Sequence, residues 1–243
     1  MTRFRLQPLF LLLWPFKVRW LHPLFFLMLA APVASLASPS SQSIEQQLRI
    51  LTPYQSHIQQ RLEQFSPMIQ QIFHQLEEQT LPVSLALVPM LESSYDPKAV
   101  SHANAAGLWQ LMPATAQRFG LTVTAQQDQR FDTDASTRAA IRYLAFLYRK
   151  FDGDMALTLA AYNAGEGRVA RAIKAAGSRS FPELTLPQET QTYVSRFYAL
   201  NHLIDINQLR RETFSPLFLF GGQQPNTTRP LIDLTPLPPL ISL

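Results

Sequence analysis

LALVPMLESSYDPKAVS, residues 85–101, sets a single acid, Glu92, at the end of an apolar run and then turns the chain at Asp96-Pro97. The run 81–91 reads as a short apolar helix with Pro82 near its start and a bend at Pro89. On such a helix Leu85 and Val88 share a stripe with Glu92, so the acid extends an apolar face. An ionised carboxylate is costly to desolvate. It either finds hydrogen-bond donors or has its pKa raised until it carries a proton near neutral pH. A protonated carboxyl aimed at a groove is what a general acid for acetal cleavage must be. The same position also suits a surface-exposed or capping glutamate, and the stripe alone leaves both readings open.

The surrounding sequence is helical. From Ser43 to Glu78 a Gln-rich stretch carries apolar residues at helical spacing and predicts two helices separated near Pro53. Pro113 predicts the start of another helix and Gly120 its stop. Residues 136–151 form the clearest amphipathic pattern, with Ala140, Tyr143, Leu144, Leu147 and Phe151 on one face. Asp154 can cap MALTLAAYNAG, which Gly165 ends; a basic helix follows over 166–176, and Pro187 opens a long helix through Tyr193, Phe197, Leu200 and Ile204. No stretch shows sustained strand alternation, so the predicted class is all-α.

The chain has 243 residues, enough for one main domain with appendages. It has no cysteine, which excludes disulfides, thiolate metal sites, a cysteine nucleophile and a lipid-bearing N-terminal cysteine. Residues 1–37 combine a basic leader (Arg3, Arg5, Lys17, Arg19), an apolar run from Leu21 to Ala31 and small residues at Ser35 and Ala37. That pattern predicts a secretory signal peptide cleaved after Ala37. The other reading is a retained anchor, against which the run is short and interrupted by Pro23 and Pro32. Four of the 21 basic residues lie in this leader and none of the 17 acids does, so the formal charge of +4 falls to zero once it is removed. A neutral chain without basic clusters gives no support for nucleic-acid binding.

Past residue 213 the prolines forbid a long helix and predict an extended tail, with Leu217 to Phe220 able to pack on the domain. Asn226-Thr227-Thr228 matches a glycosylation sequon, a short match better read as coincidence. The expected division is a signal peptide (1–37), an N-terminal helical extension (38–80), a catalytic domain (81–205) and a Pro-rich tail (206–243).

Beyond Glu92 lie small residues (Ala103, Ala105, Ala106, Gly107), hydroxyl and amide groups (Ser101, Asn104, Gln110) and Trp109. Small residues let a polymer lie close to the backbone, while amides and rings suit sugar hydroxyl and acetamido groups. Tyr162 and Asn163 fall at a helix end, and Glu189 and Tyr193 follow in PQETQTYV. Each signal alone is weak.

Taken in order, ESSYDPKAVS, AGLWQLMPATA, AYNAGEGRV and ETQTYV closely resemble the four motifs of family 1 lytic transglycosylases, bacterial enzymes with a goose-type lysozyme fold. The resemblance covers roughly residues 80–205. It implies that Glu92 matches the sole catalytic acid/base and that Ser101 matches a serine orienting that acid or the substrate. Gln110 and Met112 match residues of the cleft floor, Tyr162 and Asn163 the pair that binds the sugar near the scissile bond, and Tyr193 a tyrosine facing the glutamate. The family cleaves the β-1,4 bond between N-acetylmuramic acid and N-acetylglucosamine in peptidoglycan without water, leaving a 1,6-anhydromuramoyl end. One carboxylate then suffices where ordinary glycosidases pair two, because the substrate's own groups replace the second. Asp96 reads as a turn former; Asp128, Asp132 and Asp134 read as turn and capping residues.

With the leader, the resemblance implies an exported periplasmic enzyme acting on peptidoglycan glycan strands; no cofactor is expected, no metal because neither the five histidines nor the acids show ligand spacing, and no nucleic-acid partner because basic clusters are lacking. Some relatives carry C-terminal LysM modules, for which the tail is too short and proline-rich. No stable membrane anchor is expected after signal cleavage. The rival readings are a hydrolytic goose-type lysozyme, a glycan-binding scaffold without turnover, and a subunit docking a cell-wall or secretion machine.

Overall fold

In the computed structural model the structure describes residues 38–212; the leader, the sequon and the tail beyond Glu212 lie outside them. The described residues contain α-helices, short 3-10 turns and isolated β-bridges, and no strand. The all-α expectation holds.

The N-terminal part folds as α1 (Ser41–Leu51), α2 (Gln55–Gln64) and α3 (Ser66–Glu78), with a 3-10 turn at Thr52–Tyr54. Three helices stand where the spacing predicts two. The extra break falls at Pro67, which lies in the first turn of α3. A proline there has no intrahelical N–H to lose, whereas inside a continuous helix its ring would clash with the preceding turn. The apolar run likewise divides, into a 3-10 turn over Val83–Leu87 and the short helix α4 (Val88–Ser93). Pro89 therefore helps to start α4 instead of bending a longer helix. Leu85 and Val88 are nonetheless fully buried.

Helices α5 (Pro113–Arg118), α6 (Thr133–Lys150), α7 (Met155–Ala164), α8 (Glu166–Ala176) and α9 (Gln188–Leu203) complete the core. Asp132 caps α6 by accepting from the Ala135 amide at 2.9 Å, and Asp154 caps α7 from Leu157 at the same distance. The predicted face of α6 is buried through Ala140, Tyr143, Leu144 and Leu147, and α7 is almost wholly enclosed. Gly165, at φ 86°, stops α7.

Residue 80 is not a packing boundary. Leu62, Ile69, Ile72, Phe73 and Leu76 share one continuous core with α4, α6 and α9. Helix α1 lies on α9, where Gln47 Oε1 accepts from buried Arg196 Nε at 3.0 Å and the Ser195 hydroxyl reaches that of Ser43 at 3.2 Å. At the other end Ile206–Glu212 forms α10, inside the stretch expected to be tail; Arg210 ties it to Glu77 of α3 at 3.2 Å.

Candidate active site

Glu92 occupies the last turn of α4, and the backbone on both sides of it is pinned. Ser94 and Tyr95 both take positive φ, 50° and 62°, turning the chain sharply after the acid. That turn is held by Tyr95, which is fully buried and donates to the Ala86 carbonyl at 2.6 Å. Ser93 Oγ donates to the Leu108 carbonyl at 2.8 Å, and Arg61 Nε to the Ser94 carbonyl at 2.7 Å. Asp96 accepts from the Lys98 amide at 2.8 Å, the turn-forming role read from its place before Pro97.

The following loop, 99–111, has little regular structure and is closed by side chains. Buried Arg130 donates to the carbonyls of Asn104 at 2.6 Å and Leu111 at 3.1 Å, while its other nitrogens pair with Asp128. Trp109 is fully buried and donates to Thr137 at 3.0 Å. Gly107, at φ 77°, brings the chain so close to the Arg130 carbonyl that a Cβ would stand 1.9 Å from its oxygen.

Against this frame the side chain of Glu92 meets α9. Tyr193, nearly enclosed, donates its hydroxyl to Glu92 Oε1 at 2.7 Å. Burial pushes the Glu92 carboxyl up to about 8; the Tyr193 hydrogen bond opposes that rise and the charge of Glu189 adds to it. The group is thus an acid that holds its proton at neutral pH. Tyr162, at the end of α7, donates to the Trp109 carbonyl at 2.8 Å and meets the Tyr143 ring in a tilted contact at 5.3 Å between centroids. Burial, followed by the nearby Glu92 charge, raises Tyr162 well above the ordinary phenol value. Glu92, Tyr162 and Tyr193 are therefore one cluster drawn from three helices.

The other residues singled out by sequence are placed differently. Asn163 follows Tyr162, is partly buried, and makes no side-chain hydrogen bond with the described residues. Gln110, at φ 46°, spends its amide nitrogen on the Ala99 and Gly107 carbonyls at 3.1 and 2.9 Å, bracing the loop. Ser101 accepts from the Ala105 amide at 3.0 Å and makes no hydrogen bond to Glu92, so it shapes the 101–105 turn and does not orient the acid directly. Met112 is 44% exposed, a large value for a thioether, just before α5. Among the described residues no group of three His, Asp or Glu side chains has the arrangement of a metal site.

Residues 71–184 match the family model described as "Transglycosylase SLT domain". Just under half of the chain is therefore similar to this family. It is 40% identical over 170 residues to membrane-bound lytic murein transglycosylase D of Escherichia coli K12, covering 68% of this chain and 38% of that protein. It is 31% identical over 128 residues to the soluble lytic murein transglycosylase of the same strain, covering 49% and 20%. The chain thus spans less than two-fifths of the length of either relative. Its fold is similar to that of the 70-kDa soluble lytic transglycosylase of Escherichia coli, with a TM-score of 0.50 and 21% identity over 72% of this chain and 32% of that one.

The SLT match contains Glu92, Ser101, Gln110, Met112, Tyr162 and Asn163 but stops before Tyr193. Sequence reasoning passed over Ser93, Tyr95, Arg130 and the Trp109 carbonyl as supports. Ser93, Tyr95 and Trp109 lie within SSYDP and LWQLM, where an aromatic ring beside polar side chains was the signal; Arg130 lies in neither stretch.

Proposed function

We propose that this protein is a peptidoglycan lytic transglycosylase with Glu92 as its single general acid/base. The observation that carries the reading is the 2.7 Å hydrogen bond from Tyr193 to a carboxyl group otherwise enclosed enough to hold its proton up to about pH 8. The two influences act in turn. Burial keeps Glu92 protonated for donation to the glycosidic oxygen between N-acetylmuramic acid and N-acetylglucosamine. Once the proton has left, the Tyr193 hydroxyl stabilises the carboxylate.

The cationic muramoyl sugar is supported by its own acetamido group, a substrate-assisted route that needs no second carboxylate. Glu92 then removes the proton from the 6-hydroxyl, whose oxygen bonds to C1. A 1,6-anhydromuramoyl end forms, no water is consumed, and the acid is protonated again. No cofactor or metal enters these steps. Asn163, whose side chain makes no hydrogen bond among the described residues, and Tyr162 beside it hold the sugar near the bond that breaks. Relatives named as murein transglycosylases support the substrate, and the leader supports export to the periplasm.

The test is digestion of purified sacculi by wild type and Glu92→Gln, with products weighed. Wild type should release ends one water lighter than reducing sugars, and Glu92→Gln should lose about 100- to 10,000-fold in rate. Reducing ends would make the protein a hydrolase; binding without release would make it a scaffold. The variant should be folded and at least as stable as wild type at pH 8. Because the folded carboxyl titrates near 8 and an unfolded one near 4.5, wild type loses stability as pH rises between those values, and an amide does not.

A further inference from the structure

One ion pair joins the two segments that flank the proposed site. Arg118, the last residue of α5, donates from Nη1 to Glu166 Oε1 at 2.6 Å. Helix α5 begins directly after Gln110–Met112, and Glu166 is the first residue of α8, directly after the Tyr162–Gly165 turn. The partners are 48 residues apart in sequence.

In that turn Gly165 takes φ 86° and ψ 139°, offers no side chain to cap α8, and has nothing within 4 Å of where a Cβ would stand. The backbone there is held by the amide bonds of the two helix ends, Gly165 N–H to the Ala161 carbonyl at 2.9 Å and Arg168 N–H to the Gly165 carbonyl at 3.1 Å. Two side chains tie that turn across to neighbouring segments: Tyr162, through the Trp109 carbonyl, and Glu166, through Arg118. Asn163 sits between these two ties, and its side chain makes no hydrogen bond among the described residues.

Arg118 is itself held. Its guanidinium lies 4.6 Å from the Phe146 ring centroid and 5.3 Å from that of Phe119, contacts that pre-orient the planar fork. Phe119 meets Tyr143 at 5.0 Å and Tyr143 meets Tyr162 at 5.3 Å, so an aromatic row runs from the ion pair to the site. The pair is 51% and 25% exposed, and at such positions water screens most of the contribution to folding.

We propose that Arg118 and Glu166 are positioning residues: a strap that holds the Tyr162–Asn163 turn at the right separation from Gln110–Met112 and thereby sets affinity for the glycan strand. The strap rests on the lytic reading only for the identity of the ligand. It acts through Asn163 and touches no reacting atom, so its loss should weaken binding more than turnover.

The experiment uses the whole chain and soluble N-acetylglucosamine–N-acetylmuramic acid oligomers. Arg118→Ala and Glu166→Gln should each raise KM about threefold to tenfold, with kcat within about twofold and the melting temperature nearly unchanged. The swapped pair Arg118→Glu/Glu166→Arg should recover most of the lost affinity, and the double variant Arg118→Ala/Glu166→Gln should be no worse than either single one. Unchanged KM, additive losses in the double variant, or losses that follow the melting temperature and resist the swap would overturn the strap. Oligomer binding to Glu92→Gln, with and without Arg118→Ala, separates the two readings. A wild type that forms no anhydro product sinks the lytic assignment alone, whereas equal affinity in the two Glu92→Gln proteins sinks the strap alone.

Discussion

The loop 99–111 and the turn 162–166 flank the same carboxyl group and are held by different means. The loop is fixed by crowding and burial: Gly107 packs onto the Arg130 carbonyl, the Arg130 guanidinium grips the carbonyls of Asn104 and Leu111, and Trp109 is sealed in the core. The turn has the amide bonds of its two helix ends and the side-chain ties of Tyr162 and Glu166, and nothing lies within 4 Å of where a Cβ on Gly165 would stand. Damage to the first segment should therefore appear as lost stability, with activity following. Damage to the second should appear as lost activity in a protein that is still folded.

Gly107→Ala breaks this comparison hardest. A methyl group 1.9 Å from a backbone oxygen, at a φ of 77°, cannot be relieved by a rotamer change. It should cost about 4 kcal/mol or more. A denaturant midpoint close to wild type would show that the loop yields and that its rigidity is not steric. Tyr193→Phe comes next and leaves both segments intact. Removing a donor from a charged acceptor costs about 1.5–3 kcal/mol, so turnover should fall roughly tenfold to a hundredfold. The sign of the pH effect follows from the bond favouring the carboxylate: without it Glu92 holds its proton more firmly, and the alkaline limb of activity moves to higher pH. A lower plateau with an unmoved limb would mean that Tyr193 serves packing and not the acid.

The two segments also differ in how far sequence foretells them. Helices α6, α7 and α9 are legible because an apolar period and a start or stop residue are local properties: Asp132, Asp154, Gly165 and Pro187 act within a few residues of their own positions. The division at Pro67 is not, because a proline in a first turn and one in a helix interior look alike until the neighbouring helix axis is known. The place of α1 against α9 depends on Gln47 meeting Arg196, 149 residues away, and the burial of Arg130 on carbonyls 19 and 26 residues distant. Within the site, the oily face behind Glu92 is readable from Leu85 and Val88. Its link to Tyr193 spans 101 residues and came only through motif resemblance. Ser101 shows the limit of that route, since a motif position carries a residue type but not its hydrogen-bond partner.

Gly165→Ala sharpens the contrast with Gly107→Ala, because both sites need positive φ and only one is crowded. The strain of an alanine at φ 86° and ψ 139°, a region open mainly to glycine, about 1–3 kcal/mol, is all that remains when no atom lies within 4 Å of the added methyl. Equal destabilisation of the two variants in the same denaturant series would remove the distinction between a sterically fixed loop and an uncrowded turn.

Glu189→Gln is the smallest change. Glu189 is exposed and lies one helical turn before Tyr193, so its charge reaches Glu92 partly through solvent. That charge raises the Glu92 carboxyl by repelling the carboxylate; removing it lets Glu92 ionise earlier, and the alkaline limb should move down by less than about one pH unit. This direction is opposite to that of Tyr193→Phe, although both residues stand on one face of α9. Salt distinguishes the causes further: near 1 M the Debye length shrinks to about 3 Å, so the Glu189 effect should fade while the directly bonded Tyr193 effect persists. A limb that moves down equally at low and high salt would mean that Glu189 acts through the position of α9 and not through its charge.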